Sequence, residues 1–124
     1  MGERILWKDL SYRIVESSIK VWKTLGYGFL EKVYENALAI EFQEQKIPFR
    51  QQYPIKVFYS EHVVGDYVSD LLVESKIILE LKSAEAICAA HVAQTLNYLK
   101  ATNVRLGIIL NFGPKKLEFK RLIL

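Results

Sequence analysis

One segment near the C-terminal end constrains the fold of this chain more than any other. Residues Arg105–Phe112, RLGIILNF, form a near-continuous apolar run of a strand's length. Such a run is typical of a strand covered on both faces, because a solvated face would carry polar side chains at alternate positions. The run therefore predicts a sheet with further layers on both sides. The 124 residues suffice for one such domain, 1–124, and not for two.

The remaining elements follow from changes in the hydrophobic period. Up to Pro48 the apolar residues recur at helical spacing, and directly after it they alternate as in strands, whereas Ala84–Thr102 is helical by composition. The predicted elements are a helix that Asp9 or Ser11 caps, a helix over about Phe29–Gln45, strands over Ile55–Tyr59, Val63–Val73 and Ile77–Lys82, a helix over Ala84–Thr102, and strands over Arg105–Phe112 and Leu117–Leu124. The order α-α-β-β-β-α-β-β predicts an α/β (α+β) fold, a mixed sheet flanked by helices.

Composition excludes several classes of protein. No apolar run approaches the roughly 20 residues that span a bilayer. The charged N-terminal segment MGERILWKDL lacks the apolar stretch of a secretion signal. The single cysteine, Cys88, excludes an internal disulfide framework and a cysteine-based zinc or iron–sulfur site within one chain. We therefore expect a cytoplasmic protein that has no membrane partner.

Charge is distributed unevenly along the chain. Residues 1–85 hold 11 Lys/Arg and 13 Asp/Glu, net −2, whereas residues 86–124 hold 6 Lys/Arg and one acid, net +5. This asymmetry suits a polyanion held on one side and a metal ion on the other. Lys115 and Lys116, together with Lys120 and Arg121, are the candidates for phosphate contact. The alternative is that these residues form a solvated edge.

The segment Ile77–Ser83, IILELKS, places two charges in an otherwise apolar strand. Strand side chains alternate between faces, so Glu80 and Lys82 share one face. Charges in such a strand are costly unless they are paired or bind a ligand. The alternative is an ordinary exposed pair of a strand ladder.

The preceding strand adds a second carboxylate. If Glu74-Ser75-Lys76 is a three-residue loop, Val73 lies opposite Ile77 and Asp70 lies opposite Glu80, on the same face. Two carboxylates this close repel each other unless a cation lies between them. Oxygen-only ligands favour Mg²⁺ or Mn²⁺. Lys82 could then hold the attacking water or stabilise a pentavalent phosphate.

Two helical segments carry further polar candidates. His91, Gln94 and Tyr98 recur at helical spacing on a helix that begins near the Glu80–Lys82 strand. The alternative is that Tyr98 is a core residue and the other two are its polar neighbours. Glu31 lies one helical turn before Glu35, without a lysine to pair them. The alternative is that Glu31 only compensates the helix dipole, as a glutamate in the first turn ordinarily does.

These residues resemble known sequence motifs over nearly the whole chain, from about Tyr12 onward. Gly28, Glu31 and Tyr34 resemble the signature of the GxxExxY protein family, and Asn111–Gly113 follows the buried run as in that family. A second set resembles the motifs of the PD-(D/E)XK nuclease superfamily, the last two being typical of its RecB-like branch: Asp70, Glu80, Lys82, Gln94 and Tyr98.

The resemblance implies a restriction-endonuclease-like core and a divalent metal ion, Mg²⁺ or Mn²⁺. It implies that Asp70 and Glu80 bind the metal, that Lys82 is the catalytic lysine, and that Glu31 adds a third acidic side chain. Gln94 and Tyr98 would steady the metal shell or contact the nucleic-acid backbone. One departure is Ser69, which stands where the superfamily name has proline.

Alternatives of different classes follow. The first is an enzyme that hydrolyses phosphodiester bonds, with DNA favoured over RNA as its partner. The second is a non-catalytic module that binds nucleic acid or acts as an adaptor while keeping the nuclease fold. A third is metal-dependent phosphotransfer on a small nucleotide. The lack of an added DNA-binding domain suits the module, a homodimer or a partner protein.

Overall fold

The helices and strands occur in the predicted order in a computed structural model, which describes residues 6–124. The elements are α1 (Lys8–Leu25), α2 (Glu31–Glu44), β1 (Phe49–Tyr59), β2 (His62–Val73), β3 (Ile77–Lys82), α3 (Ala89–Thr102), β4 (Leu106–Phe112) and β5 (Leu117–Ile123). The strands form one five-stranded sheet in the order β1-β2-β3-β4-β5. Only β3 and β4 are parallel, since α3 connects them.

The sheet is covered on both faces, as the apolar run predicts. The first core lies between the sheet and the α1–α2 pair, and it includes Leu79, Leu81 and Ile108. The second lies between the sheet and α3, and it includes Ile78 and Ile109. Every residue of β4 is buried. Strands β3 and β4 contribute side chains to both cores, so packing on both faces of the sheet fixes their positions. A site at the ends of these strands is therefore held on a rigid part of the fold.

Several boundaries differ from the predicted ones, most of them by one or two residues. Helix α1 begins at Lys8, so neither Asp9 nor Ser11 is its N-cap. Strand β1 begins at Phe49 rather than Ile55, because its first residues are mostly polar and exposed at the sheet edge. Helix α3 begins at Ala89 rather than Ala84. The Asn111 carboxamide binds both the N–H and the carbonyl of Ala84. These two bonds hold the segment between Ala84 and Ala89 out of the helix.

Within residues 6–124, no helix combines the length and the apolar character that crossing a membrane requires.

Close packing of α3 on β4 gives a testable prediction of stability. A Cβ atom on Gly107 would lie 2.8 Å from Cγ2 of Thr95, which is fully buried. We expect Gly107→Ala to lower the free energy of unfolding by about 1–3 kcal/mol, the usual cost of overpacking. Thr95→Ser removes Cγ2 but keeps the hydroxyl that donates to the His91 carbonyl.

Urea unfolding of the two single variants and the double variant tests this prediction. The cost of Gly107→Ala should be smaller in the Thr95→Ser background, because the clashing methyl group is gone. Strictly additive costs would contradict the close contact.

Candidate functional site

Strands β2 and β3 separate at the point where the two predicted carboxylates lie. Backbone pairing runs from Val73–Ile77 to Leu71–Leu79, the register that the three-residue loop predicts. At the next position, the side-chain carboxylates of Asp70 and Glu80 replace backbone carbonyls as acceptors of the hydrogen bonds between the strands. The Asp70 N–H donates to Glu80 Oε2 at 3.0 Å, and the Leu81 N–H donates to Asp70 Oδ2 at 2.8 Å. Each strand is therefore held by the carboxylate of the other.

One oxygen of each carboxylate is fixed and the other is left for a ligand. Within the described residues, Asp70 Oδ1 and Glu80 Oε1 make no hydrogen bond. Burial and, after it, the negative charge of Asp70 raise the pKa of Glu80 to about 8. Burial also raises the pKa of Asp70, while the bond from the Leu81 N–H opposes this shift. The pair therefore retains a proton readily unless a cation compensates it.

Strand β1 is interrupted beside the same point. The pairing of β1 with β2 skips one residue on each strand, between Gln51–Leu71 and Tyr53–Ser69. The skipped residue of β1, Gln52, has φ of 53°, in the left-handed region that a non-glycine residue seldom adopts. Asp70 thus lacks a regular backbone neighbour on either side, which gives its carboxylate room at the centre of a sheet.

Helix α2 brings two more carboxylates toward this opening. Glu31 is its first residue, and its negative charge raises the pKa of both Asp70 and Glu80. Glu35 is buried and raises the pKa of Asp70 more strongly than Glu31 does. The Glu35 carboxylate accepts three hydrogen bonds, from Lys32, Gln51 and Gln52 at 3.2, 2.7 and 2.8 Å. The sequence indicated Glu35 only through its spacing from Glu31, and it was not predicted as a site residue.

The loop before α2 is fixed by the two residues that flank Glu31 in the predicted signature. The Tyr34 hydroxyl donates to the Gly26 carbonyl and accepts from the Phe29 N–H, while its ring stacks on Phe112. Gly28 has φ of 116°, which a glycine adopts at little cost. The Ser83 hydroxyl donates to the Phe29 carbonyl at 2.9 Å. Tyr34 and Gly28 therefore position Glu31 beside the end of β3.

Helix α3 supplies the polar groups around Lys82. The Lys82 ammonium donates to Gln94 Oε1 at 3.2 Å, and the Gln94 side chain lies beside the Tyr98 hydroxyl. Tyr98 is only 6% exposed, and its pKa is raised by burial and then by the charges of Glu80 and Asp70. A chain of contacts thus runs from Tyr98 through Gln94 to Lys82, on the face that carries both carboxylates.

His91 lies at the start of α3, where it caps the helix. Its Nδ1 accepts the Cys88 N–H at 3.1 Å, which leaves Nε2 as its second polar atom. Burial lowers the pKa of His91, and the positive charge of Lys82 lowers it further. The histidine is therefore near the site but engaged in helix capping.

The overall resemblance decides the family. A model of the PD-(D/E)XK nuclease superfamily matches residues 8–122. The chain belongs to the PD-(D/E)XK nuclease superfamily. No curated protein matches the chain.

One solved structure, the crystal structure of SSO0001, shares the fold of this PD-(D/E)XK protein. The two chains are 13% identical, and their superposition has a TM-score of 0.58. The match covers 74% of the present chain and 48% of SSO0001, so the chain spans about half the length of the matched structure. At this identity the likeness concerns the fold alone, the mixed sheet with flanking helices.

A divalent metal ion is implied by membership of this superfamily, and the donor chemistry of the site fits one. Asp70 Oδ1 and Glu80 Oε1 are carboxylate oxygens, which Mg²⁺ and Mn²⁺ prefer. Among residues 6–124, no three His, Cys, Asp or Glu side chains are grouped closely enough to form a complete metal site. Glu31 is therefore not drawn together with the central pair into one cluster, and its role as a third ligand stays a prediction.

The four basic candidates of the PD-(D/E)XK protein, Lys115, Lys116, Lys120 and Arg121, do not all lie on one face of the sheet. Lys115 and Lys116 lie exposed in the β4–β5 turn, where they line an open cavity of about 250 Å³ with Glu85 and Glu118. Lys120 and Arg121 are neighbours on β5 and so face opposite sides of the sheet. Arg121 donates to the Leu6 carbonyl. Phosphate contact by Lys115 and Lys116 stays a prediction.

The raised carboxylate pKa values predict how stability depends on pH. Without metal, the folded protein keeps a proton on Glu80 up to about pH 8, whereas the unfolded chain loses it near the ordinary value of 4.5. The free energy of unfolding should therefore fall as pH rises through this window, by a few kcal/mol at most. Thermal melts in EDTA across this range measure the effect.

The matched variant for this measurement is Glu80→Gln, which has no proton to lose. Its stability should decline less than that of the wild type between pH 4.5 and 8. Equal slopes for the two proteins would show that Glu80 titrates normally in the fold.

Proposed function

We propose that this protein is a metal-dependent nuclease that hydrolyses phosphodiester bonds, with DNA favoured over RNA. Asp70 and Glu80 would bind Mg²⁺ or Mn²⁺, and Lys82 would be the catalytic lysine. The exchange of hydrogen bonds between Asp70 and the Glu80–Leu81 segment is the observation that carries this proposal. It holds two carboxylates close together, which is electrostatically unfavourable unless a cation is bound between them. Lys82 lies on the same face.

The chemistry divides between the ion and the chain's own side chains. A bound divalent ion neutralises charge at the phosphate and lowers the pKa of water. The two carboxylates fix its position because each is anchored by a backbone N–H of the neighbouring strand. Lys82 places a positive charge next to them, and its bond to Gln94 keeps the ammonium from turning away into solvent. There it can stabilise negative charge that develops on the phosphate in the transition state.

Further residues support this arrangement in the proposed role. Gln94 would position Lys82 from α3, and Tyr98 lies beside Gln94 one turn further along the helix. Glu31 would contribute a third carboxylate at the N-terminus of α2, through a direct contact or a water molecule. His91 can offer its Nε2 atom to a phosphate or to water.

A non-catalytic module that binds nucleic acid or acts as an adaptor is the second candidate. It is favoured by one observation, the absence of a complete three-residue metal site among residues 6–124. Such a module would use Lys82 and the exposed lysines of the β4–β5 turn for phosphate contact alone. It would act as a homodimer or with a partner protein.

The narrower placement of the protein also belongs to this proposal. Gly28, Glu31 and Tyr34 support membership of the GxxExxY branch, because the first and third fix the loop that presents the second. We propose that residues 1–124 form one domain and that the protein works in the cytoplasm.

Metal binding is the first test of the proposed site. Calorimetric titration of the wild type with Mg²⁺ or Mn²⁺ should show binding that Asp70→Asn and Glu80→Gln each abolish. Both variants should also melt at a higher temperature in EDTA above pH 8, where both wild-type carboxylates are charged and repel each other.

Asp66→Asn provides the matched control, because Asp66 lies on the same strand but forms an exposed pair with Lys56. It should bind metal as the wild type does. Unchanged metal affinity in both site variants would contradict the assignment of Asp70 and Glu80.

Lys82 separates the nuclease from the binding module. In a nuclease, Lys82→Ala should keep its metal affinity but cut labelled DNA about a hundredfold more slowly or worse, the usual loss when one such electrostatic group is removed. Lys23→Ala, an exposed lysine of α1, is the control and should cut normally. Substrates are single- and double-stranded DNA and RNA, with Mg²⁺ or Mn²⁺ and an EDTA control. A metal-loaded wild type that cuts none of them would favour the module.

A further inference from the structure

A groove of about 620 Å³ lies between the β1–β2 hairpin and α3. The hairpin side is lined by Val57, Phe58 and Tyr67, and the helix side by Asn97 and Lys100, with Tyr98 between them. This size is within the range of sites that hold small ligands or part of a larger one. None of these side chains is needed by the chemistry proposed above except Tyr98.

The charge and polarity of the groove suit a nucleic acid. Its lining contains lysines and amide side chains but no Asp or Glu, although carboxylates crowd the adjacent site. Asn97 and Gln94 are exposed on one face of α3, and Lys100 is exposed one turn further along. Amides can donate to and accept from base edges, and a lysine can approach a backbone phosphate.

Aromatic rings form the most distinctive surface of the groove. Tyr67 and Phe58 are 49% and 62% exposed, so both rings present accessible apolar surface to the groove. The Tyr67 ring lies over Gly65, where any Cβ atom would come within 2.9 Å of it. Its centroid is 5.9 Å from that of Tyr98. The ring is thus fixed between a glycine and a buried tyrosine, with one side open to the groove.

The groove is continuous with the proposed catalytic site. Gln94 lines the groove and also accepts a hydrogen bond from the Lys82 ammonium. Tyr98 lines the groove and lies close enough to Glu80 and Asp70 for their charges to raise its pKa. A nucleic-acid strand whose phosphate lay at the carboxylates could therefore continue directly past both residues into the groove.

We propose that this groove binds an unpaired segment of the strand being cut, with a base stacked on Tyr67 and the backbone near Lys100. Bases in a duplex are stacked on one another and cannot lie flat on a protein ring, so the occupant must be single-stranded there. The inference rests on the proposed function, since it assigns the groove to the flank of the cleaved phosphate. It predicts a substrate that is single-stranded or carries an unpaired end.

Binding of fluorescein-labelled single-stranded DNA and of its duplex, measured by anisotropy in EDTA, tests the groove without cleavage. Tyr67→Leu should weaken single-strand binding about five- to hundredfold, the scale of one lost base stack, and leave duplex binding unchanged. Tyr67→Phe keeps the ring and should bind as the wild type does. Tyr59→Leu removes an exposed ring of the same hairpin that lies outside the groove, and it is the matched control.

A second variant protects the test against a folding defect. Thermal melts establish that Tyr67→Leu is folded, and Asn97→Ala/Lys100→Ala should weaken single-strand binding independently of the hairpin. If all these variants bind single strands as tightly as the wild type, the groove is not the binding site. Equal losses for single strand and duplex would also overturn the proposal, because selectivity for unpaired bases would be absent.

Cleavage, scored separately in Mg²⁺, distinguishes this proposal from the nuclease assignment. A wild type that binds single strands through Tyr67 but cuts no substrate contradicts the nuclease and supports the groove as a binding site. A wild type that cuts, with Tyr67→Leu unimpaired in binding, contradicts the groove alone.

Discussion

The crossed hydrogen bonds between Asp70 and the Glu80–Leu81 segment are the contact on which the rest of the site depends. A sheet normally closes its ladder with backbone groups, and here two carboxylates do so instead. The exchange satisfies the two N–H groups that the diverging strands would leave unpaired. It also holds both carboxyl groups in a partly buried environment, which raises their pKa values. The atoms that join the two strands here are therefore also those of the proposed site.

The surrounding elements keep this opening from closing or spreading. On one side, Tyr34 and Ser83 bind the loop that leads to Glu31. On the other, Asn111 binds the backbone of Ala84 and the carboxylate of Glu118, so the chain leaving β3 cannot fold onto the carboxylates. Apart from the exposed Ser83–Phe29 bond, these anchors are part-buried, and together they fix the geometry at the end of β3.

The sequence predicted the fold closely because its strongest patterns are periodic. The order of elements is confirmed, and the bounds of β3 agree with the predicted Ile77–Lys82. The register of β2 on β3 followed from the length of one loop, and the superfamily from motifs that this register brings together. Periodicity is a local property, so it survives without knowledge of the tertiary structure.

What the sequence could not predict depends on contacts between distant residues. The burial of Glu35 depends on hydrogen bonds from Gln51 and Gln52 of β1, which are distant from it in sequence. The polar side chains of these two glutamines also obscured the start of β1 in the hydrophobic pattern. The roles of the site residues remain predictions, since geometry alone does not establish an activity.

The left-handed residue in β1 has a consequence beyond the site. As an outer strand of the sheet, β1 presents backbone groups to which another chain could add a strand. Gln52, with φ of 53°, breaks the straight run of those groups, and Pro54 two residues later has no N–H to offer. The same kink that gives Asp70 its space thus interrupts the template for edge-to-edge aggregation. Because Asp70 lies on the strand next to this edge, the single left-handed turn at Gln52 both makes room for its carboxylate and makes β1 a poorer edge for pairing with another chain.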